Sequence, residues 1–350
     1  MATEGGTVRS ILFTWALFLA AAASVASQAL PGCQDKCGNV SIPYPFGMTP
    51  SCYLNQNFSI NCNQSLPQLL ESDVVVTNIT LEGQLEILNY VARDCYDANG
   101  TYVEGILSVL WADMFTISND RNKLTAVGCD TEATITAIRE DTDSGYFTGC
   151  ISYCDKEETT LHLNGSCSGI GCCQISIPSG LKYLNISVTS FNNHTNVSDF
   201  NPCGYAFVTD RSKFTFSFKS FEELASIESL PLVLDWAIGN EMCTVAETKS
   251  DYACKQNSIC HDPVNRSGYI CKCKDGYYGN PYLYNGCQDI DECKDLSLHN
   301  CISERNCVNT LGNYTCSCSK GLHGDGRKDG TGCIRNALDV IAIFIGRCSL

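Results

Sequence analysis

Positive charge is scarce in this chain of 350 residues, which has 23 lysine and arginine residues against 38 aspartate and glutamate residues, a formal net charge of −15. The deficit lies in residues 28–242, where 25 acidic side chains accompany 10 basic ones. Nucleic acids and anionic lipid surfaces bind through basic groups that neutralise their phosphates. The charge balance therefore speaks against nucleic acid, and against a membrane surface, as a partner.

Catalytic motifs are also missing. The sequence contains no glycine-rich nucleotide loop, no VAIK-like lysine, and no HRD or DFG triplet, so these 350 residues contain no kinase domain. The few histidines show no metal-ligand spacing, and they are His162, His194, His261, His299 and His323. A secreted enzyme is therefore a disfavoured alternative, and we predict a protein without catalytic activity.

No apolar run reaches the roughly 20 residues that span a bilayer. The run from Ile11 to Ala23 follows Arg9 and ends in small residues, which is typical of a cleaved secretory signal peptide. We predict that residues 1–27 form this peptide, with cleavage after Ala26 or Ser27.

Cysteine, by contrast, is abundant, with 25 residues. Reducing compartments do not keep so many cysteines as free thiols, so the composition predicts disulfides formed in the secretory pathway. The first twelve cysteines, from Cys33 to Cys203, are irregularly spaced, and two regular sets of six follow, from Cys243 to Cys333. Because both groups are even in number, all of these cysteines can pair, which leaves Cys348 unpaired.

Asparagine in Asn-x-Ser/Thr sequons is the second abundant feature. A single sequon is common by chance, but eleven in a chain with a signal peptide predict a heavily glycosylated surface. The eleven asparagines are Asn39, Asn57, Asn63, Asn78, Asn99, Asn164, Asn185, Asn193, Asn196, Asn265 and Asn313.

Residues 28–242 have the pattern of a β-rich domain whose loops need about six disulfides to offset their conformational entropy. Partial period-two alternation predicts two strands and a turn in residues 73–91, and further strands in residues 181–190 and 211–220. Only residues 221–230 look helical. The predicted fold class is thus mainly β and disulfide-rich, with a β-rich, cysteine-stapled N-terminal domain followed by two small repeated modules.

The two regular cysteine sets each have one residue between the fourth and fifth cysteine, and they resemble tandem epidermal growth factor (EGF) modules. We place the modules at residues 243–287 and 288–333. Such small units have almost no apolar core, so their disulfides supply the stability. The family's connectivity implies the pairs Cys243–Cys260, Cys254–Cys271, Cys273–Cys287, Cys293–Cys307, Cys301–Cys316 and Cys318–Cys333.

The second module resembles the calcium-binding subclass, because DIDEC precedes it at residues 289–293 and CVNTLGNYTCSC occupies residues 307–318. Calcium binds six to eight oxygen ligands from carboxylates, amides and backbone carbonyls. The alternative is a solvated acidic linker, which the spacing of the polar side chains disfavours. The resemblance implies side-chain ligands Asp289, Glu292 and Asn309 and carbonyl ligands Ile290, Thr310 and Asn313.

A calcium ion in that position would act on the joint between the modules. Only five residues separate Cys287 from Cys293, so an ion held by this linker would fix the angle between the modules and stiffen the pair into a rod. The first module lacks the paired acids before Cys243, and we predict no calcium there.

Six motifs occur in order along the chain. They are CGNVSIPYPFG (37–47), FSINC (58–62), GCCQ (171–174), NPCGYAFV (201–208), LDWAIGN (234–240) and GNPYLYNGCQDIDEC (279–293). Together they resemble the galacturonan-binding extracellular region of plant wall-associated receptor kinases, and the resemblance extends from about Cys33 to Cys333. It implies an extracellular cell-wall protein that binds pectin through residues 28–242, with the EGF-like modules as a stalk.

An acidic domain that binds a polyanion needs local cations or a calcium bridge. Isolated surface cations more often serve solubility alone, which is the alternative interpretation. Aromatic residues such as Tyr44, Phe46, Trp111 and Trp236 could stack on sugar rings, but a role in the core is favoured. The candidate polysaccharide-binding cations are Lys36, Arg93, Arg121, Lys123, Lys182, Arg211, Lys213 and Lys219.

Two further expectations concern function and location. The alternative to polysaccharide binding is a structural or adhesive extracellular protein whose EGF-like modules bind another protein. In complete members of the resembled family a transmembrane helix and a serine/threonine kinase follow, and those members reside in the plasma membrane. Val340 to Ile345 is too short an apolar run to span a bilayer. We therefore predict that residues 334–350 are the truncated start of such a helix and that this form is secreted.

Overall fold

The computed structural model describes residues 27–69, 72–139, 145–154, 156, 157, 160 and 165–335. All but the last residue of the predicted signal peptide lies outside this part of the chain, as do the sequon at Asn164 and residues 336–350 with Cys348. No helix within these ranges is long and apolar enough to cross a membrane. Strands dominate, and the predicted β-rich, disulfide-rich fold class is confirmed.

Two antiparallel sheets form the body of the N-terminal region. The larger sheet has the strand order β13-β12-β15-β10-β17-β6-β5, with β9 also paired to β15, and the smaller has the order β14-β11-β16-β7-β8. Two hairpins, β1-β2 and β3-β4, precede them. The strands are β1 (Lys36–Cys37), β2 (Val40–Ser41), β3 (Ile60–Asn63), β4 (Leu66–Leu69), β5 (Val76–Thr80), β6 (Gln84–Tyr90), β7 (Ala92–Tyr96), β8 (Tyr102–Ile106), β9 (Ser108–Trp111), β10 (Thr116–Ile117), β11 (Asn122–Val127), β12 (Asp130–Arg139), β13 (Gly145–Tyr153), β14 (Cys172–Ser176), β15 (Leu181–Thr189), β16 (Cys203–Asp210) and β17 (Ser229–Asp235).

The strands predicted in residues 73–91 and 181–190 are confirmed as β5, β6 and β15. Their alternation is genuine because each of them buries one face. In β6, for example, Leu85 and Ile87 are fully buried, whereas Glu86 between them is only partly so. The alternating face packs toward the smaller sheet, as is usual for an antiparallel sheet with one covered side.

Two hydrophobic cores result. The first lies between the sheets and includes Ile135 and Leu184 from the larger sheet and Leu124 and Val208 from the smaller. The second covers the opposite face of the smaller sheet and includes Tyr205 and Phe207. Strand β16 contributes to both cores, and this explains its nearly unbroken run of buried residues.

The strand predicted in residues 211–220 is wrong. Strand β16 ends at Asp210, and the following residues run across the smaller sheet without strand pairing. Phe214, Phe216 and Phe218 instead contact the second core, where Phe214 lies 5.0 Å from Phe207 between ring centroids. The alternation therefore reflects anchoring of a covering segment rather than a sheet. The helix predicted next is confirmed only in part, as α1 (Ser220–Glu223) and a 3-10 turn (Leu224–Ser226).

Six disulfides staple this region, as many as the sequence predicts. Their connectivity could not be deduced from spacing. The bond between β7 and β16 closes a loop of 108 residues, and the others close shorter loops. The pairs are Cys33–Cys52, Cys37–Cys62, Cys95–Cys203, Cys129–Cys154, Cys150–Cys173 and Cys167–Cys172.

The two modules that follow consist of short hairpins with few buried side chains. Their six disulfides join the cysteines that the EGF connectivity implies. Short helices are α2 (Cys243–Ala246) and 3-10 turns at Glu292–Lys294 and Glu304–Asn306, and a further 3-10 turn lies at Gln56–Phe58. The strands, paired in sequence order, are β18 (Ser258–His261), β19 (Ile270–Cys273), β20 (Tyr277–Gly279), β21 (Cys287–Asp289), β22 (Cys307–Thr310), β23 (Asn313–Cys316), β24 (Leu322–His323) and β25 (Ile334–Arg335).

Candidate functional site

The predicted calcium ligands come together where the linker meets the β22-β23 hairpin. Asp289 ends β21, and its carboxylate accepts hydrogen bonds from Asn309 Nδ2, at 2.8 Å, and from the backbone N–H of Gly312. Thr310 and Asn313 face each other across the hairpin, and the Thr310 hydroxyl donates to the Asn313 carbonyl at 2.7 Å. A carbonyl oxygen has a second lone pair that remains for a cation.

Glu292 gives the strongest structural support for a cation site. It is only 8% exposed, in the 3-10 turn that packs against the β22-β23 hairpin. Its Oε2 is buried and accepts no hydrogen bond from any residue that the structure describes. A buried carboxylate oxygen without a donor is costly unless a cation neutralises it. The donor set therefore fits calcium, and Asp289, Glu292 and Asn309 are the side chains that would hold it.

A second metal-like cluster nearby is not a site. His299, Cys301 and Cys307 lie close together. Both cysteines are in disulfides, with Cys316 and Cys293 respectively, so neither offers a thiolate. The first module also differs from the second: Asp262, two residues after its third cysteine as Asn309 is in the second, accepts a hydrogen bond from Cys243 N–H at 2.7 Å.

The distal joint, as we call the contact between the two modules, is narrow. Ile290 N–H donates to the Gly276 carbonyl at 2.8 Å. Gly276 and Gly312 approach so closely that a methyl group at Gly276 would collide with the Gly312 backbone, and a Cβ at Gly312 would lie 2.7 Å from the Tyr277 ring. Asp289, which belongs to this joint through Gly312, is also a predicted calcium ligand.

The proximal joint is the contact of residues 265–270 and 280–282 of the first module with the N-terminal region. Its apolar half centres on Trp236, which is 1% exposed and lies 5.8 Å from the Tyr282 ring. Phe46 and Phe58 pack edge-on against the same indole, at 5.3 and 5.8 Å between centroids. Burial raises the pKa of Tyr282, and its hydroxyl accepts the Cys271 N–H at 2.8 Å.

Hydrogen bonds complete the proximal joint. Asn280 Nδ2 donates to the carbonyls of Gln28, at 2.8 Å, and Tyr44, at 2.6 Å. Ile238 and Tyr269 exchange two backbone hydrogen bonds, of 2.8 and 3.1 Å. Backbone pairing therefore links the N-terminal region directly to the first EGF-like module. Tyr44, Ile238 and Asn280 come from the YPF, DWAIGN and GNPY motifs, so these contacts explain in physical terms why the three motifs occur together.

Asn265 also stabilises the proximal joint through hydrogen bonds. Its Nδ2 donates to the Asp235 carboxylate, and its Oδ1 accepts the Gly180 N–H at 2.9 Å. Arg266, only 8% exposed, donates to the Asp235 carbonyl at 2.9 Å. Burial raises the pKa of the Asp235 carboxyl, and the hydrogen bond from Asn265 opposes this change. The amide nitrogen that a glycan would occupy at this sequon is therefore engaged in the fold.

The candidate aromatic residues separate into two groups. Phe46 and Trp236 are buried in the core, as the sequence favoured, and Tyr44 packs partly against it. Trp111 is 62% exposed on the outer face of the larger sheet. Sequence alternation alone could have placed Trp111 and Val109 on one face of β9, but it could not have indicated which face is covered.

Four of the eight candidate cations meet at one place, the basic strand end, defined by Arg121, Lys123, Arg211 and Lys213. Strands β11 and β16 are antiparallel neighbours with Asn122 opposite Asp210, and Arg211 N–H donates to the Arg121 carbonyl at 2.9 Å. The two cation pairs that are close in sequence thus become one cluster.

Part of the charge at the basic strand end is already neutralised. Arg121 binds the buried Asp210 carboxylate and Gln84, and Lys213 Nζ lies 3.7 Å from Glu86. Burial opposes ionisation of Asp210, but hydrogen bonds from Ser212 and Arg121 outweigh it and lower the pKa of that carboxyl. Arg211 is exposed, and no ion pair described in the structure uses Lys123 or Arg211.

The other four cations are dispersed. Arg93 donates to the carbonyls of Ala225 and Ile227 and lies 3.8 Å from Glu104, so its role is structural. Lys36 on β1 and Lys219 before α1 are exposed at other positions, and Lys182 lies on β15.

A groove of 970 Å³ runs along the proximal joint between residues 27–31 and residues 278–288. Exposed Tyr278 and Tyr284 line it, as does Glu82, and none of the described residues that line it is a lysine or arginine. A polyanion would find no counter-charge there. The basic strand end is therefore the better candidate for an acidic polysaccharide.

Comparison with known proteins agrees with this organisation. Residues 33–90 match the description "Wall-associated receptor kinase galacturonan-binding", residues 164–243 match "Wall-associated kinase", and residues 289–333 match "Calcium-binding EGF domain". No solved structure matches the chain significantly. The fold and sites thus define a disulfide-stapled region of the galacturonan-binding type that carries a calcium-binding EGF domain.

Two curated relatives show which proteins the chain is similar to. The chain is 40% identical to Wall-associated receptor kinase 2 of Arabidopsis thaliana over 91% of its own length and 42% of that relative. It is 38% identical to Wall-associated receptor kinase 1 of the same plant, over 91% of this chain and 43% of the relative. The resemblance to the extracellular region of wall-associated receptor kinases is confirmed, and the chain spans less than half the length of these relatives.

Proposed function

We propose that the protein binds pectin through the basic strand end, as an extracellular cell-wall protein whose calcium-binding module stiffens a short stalk. The observation that carries this proposal is the convergence of Arg121, Lys123, Arg211 and Lys213 through the pairing of β11 with β16. The match of residues 33–90 to a galacturonan-binding description supports the ligand class.

The electrostatics suit a weak, salt-sensitive interaction. Uronate carboxylates would pair with Lys123 and Arg211, while Asp210 and Glu86 limit the net positive charge. Exposed ion pairs contribute roughly 0–1 kcal/mol each, so several must act together along a polymer. Affinity should therefore grow with saccharide length and fall as salt screens the charges.

Calcium has a structural role in this proposal. Extracellular modules bind calcium with dissociation constants on the order of 10⁻⁴ to 10⁻³ M. The ion would complete the distal joint through Asp289, Glu292 and Asn309, and the modules would hold the binding region at a fixed angle.

The test is binding of oligogalacturonides to the whole secreted protein. We expect the double variant Lys123→Ala, Arg211→Ala to lose about tenfold or more of affinity at low ionic strength. The matched control Lys36→Ala, Lys219→Ala removes the same charge elsewhere and should bind like the parent. Equal loss in both variants would show that the basic strand end is not the site.

Calcium chelation separates direct binding from a calcium bridge, since only a bridge would be abolished by a chelator. If the parent protein ignores oligogalacturonides at low salt, with calcium and without it, the pectin proposal fails. A protein partner for the EGF-like modules then becomes the favoured function.

A further inference from the structure

The outer face of the larger sheet exposes several large apolar side chains. Strands β9, β15, β12 and β13 are neighbours there, and the face opposite the core exposes Trp111 (62%), Phe147 (70%), Ile151 (52%) and Tyr153 (53%). An antiparallel sheet with one solvated face normally carries polar residues on that side. These exposed apolar side chains form two groups, one on β9 and one on β13, and the polar outward positions of β15 and β12 lie between them. Exposed aromatic groups of this size mark a surface that can be covered.

The register places a sequon in the middle of this face. Asn185 on β15 lies opposite Val109 on one side and Thr136 on the other, and Thr136 lies opposite Phe147. Adjacent strands are roughly 4.8 Å apart, so these side chains form one continuous row across four strands.

An aromatic pair lies directly beside the sequon. Tyr183, two residues before Asn185 on the same face, is opposite Trp111, and their ring centroids are 4.3 Å apart. Ile186 and Leu184 point into the core and are fully buried, so Asn185 faces outward. Its Oδ1 is shielded from solvent and has no hydrogen-bond partner among the described residues.

We propose that the glycan carried by Asn185 is the occupant of this face, with its first N-acetylglucosamine residues lying over the Trp111–Tyr183 pair. Sugar rings present a face of C–H groups that packs on aromatic rings, and their hydroxyls then point to water. The outward positions from Glu132 to Ile138 on β12 and from Gly145 to Tyr153 on β13 carry one carboxylate and no lysine or arginine, so an anionic occupant would find no counter-charge there.

The covalent step is the usual glycosyl transfer. Asn185 Nδ2 attacks the anomeric carbon of the first sugar of a lipid pyrophosphate-linked oligosaccharide. The N–C bond forms as the C–O bond to the pyrophosphate breaks, the amide loses one proton, and the lipid pyrophosphate leaves. Ser187 completes the sequon, and its hydroxyl lies 2.7 Å from that of Thr134 on the same face.

Tryptophan fluorescence offers a direct readout. The sequence has three tryptophans: Trp15 lies in the predicted signal peptide, Trp236 is 1% exposed, and Trp111 is on the proposed site. Quenching by acrylamide in the secreted protein therefore reports on Trp111. We expect Asn185→Gln and Ser187→Ala each to raise the quenching constant about twofold relative to the parent.

The control is Asn63→Gln, which removes an exposed sequon on the β3-β4 hairpin and should leave quenching unchanged. Glycopeptide mass spectrometry should find a glycan at Asn185 in the parent and in this control. Enzymatic removal of glycans from the folded parent should also raise quenching, which covers the case in which a variant fails to fold.

Three results would overturn the proposal. The first is an unmodified Asn185, which would leave the face to an external ligand. The second is unchanged quenching after loss of the glycan. The third is an increase in Asn185→Gln but not in Ser187→Ala, because the asparagine side chain itself, rather than a sugar, would then shield Trp111.

Discussion

The two joints lie at opposite ends of the first EGF-like module, and they are held together by different means. The proximal joint buries Trp236 and Tyr282 and adds the hydrogen bonds of Asn265 and Asn280, so protein groups satisfy one another directly. The distal joint has close glycine backbones and a partly unsatisfied set of carboxylates. Direct contacts between protein groups hold the proximal joint, and the distal joint fits a cation.

Because of this difference, the first EGF-like module packs as part of the N-terminal body, whereas the second is attached through the distal joint. The first EGF-like module, which the sequence predicts to begin at residue 243, has Tyr269 and Ile270 buried in the same hydrophobic core as Trp236. It therefore extends the N-terminal body rather than serving as a flexible stalk. Asp289 and Ile290, which follow it, connect it to the second module through the distal joint.

The proximal joint can be broken at its centre. Truncating a buried aromatic residue typically costs about 3–5 kcal/mol, so we expect Trp236→Ala to lower the free energy of unfolding by that amount. The indole also donates to the Thr80 carbonyl, at 3.2 Å. Chemical denaturation of the purified whole protein measures the loss.

Trp111→Ala is the matched control for this change, since it removes the same side chain from an exposed position. It should cost far less than Trp236→Ala. If Trp236→Ala unfolds no more easily than this control, the proximal joint does not stabilise the body, and the comparison between the joints is wrong.

The distal joint depends on the absence of a side chain at Gly312. Its φ is +74°, and an added Cβ would meet the Tyr277 ring. Gly321 has a similar φ of +82°, but no atom within 4 Å of an added Cβ. The two alanine variants therefore share the backbone strain and differ only in the clash.

We expect Gly312→Ala to be roughly 1–3 kcal/mol less stable than Gly321→Ala, which is the usual cost of overpacking. Limited proteolysis should also cut the linker between Cys287 and Cys293 faster in Gly312→Ala. Equal stability and equal cleavage in the two variants would mean that the modules do not pack at this point.

The sequence predicts the local parts of this architecture better than the joints. The cysteine spacing indicates the EGF-like modules and their disulfide pairs, and the alternation of apolar and polar residues predicts β6 and β15. Both patterns lie within short segments of the chain. The proximal joint joins residues far apart, such as Asn280 and Gln28, and no local pattern records that contact. The role of Asn265 could not be predicted either, because its sequon suggests a surface position, whereas its amide donates a hydrogen bond to the Asp235 carboxylate. Phe214 and Phe216 suggested a strand that does not exist. A segment that covers a sheet can also alternate apolar and polar residues without pairing to another strand.

The smallest expected effect concerns the cation itself. Glu292→Gln keeps the size of the side chain and removes one ligand charge, and calcium affinity depends on the number of charged ligands. We expect the affinity to fall about tenfold, which corresponds to roughly 1.4 kcal/mol. Asp291→Asn is the control, because Asp291 lies in the same linker, pairs with Lys294 at 3.1 Å and is not a predicted ligand. Calorimetric titration of calcium into both variants separates specific ligation from the general charge of the linker.

Because Glu292 Oε2 has no donor in the described part of the chain, the glutamine variant should also be more stable than the parent when calcium is chelated. An equal loss of affinity in the two variants would instead assign the acids to a solvated linker, and the distal joint would then need no ion.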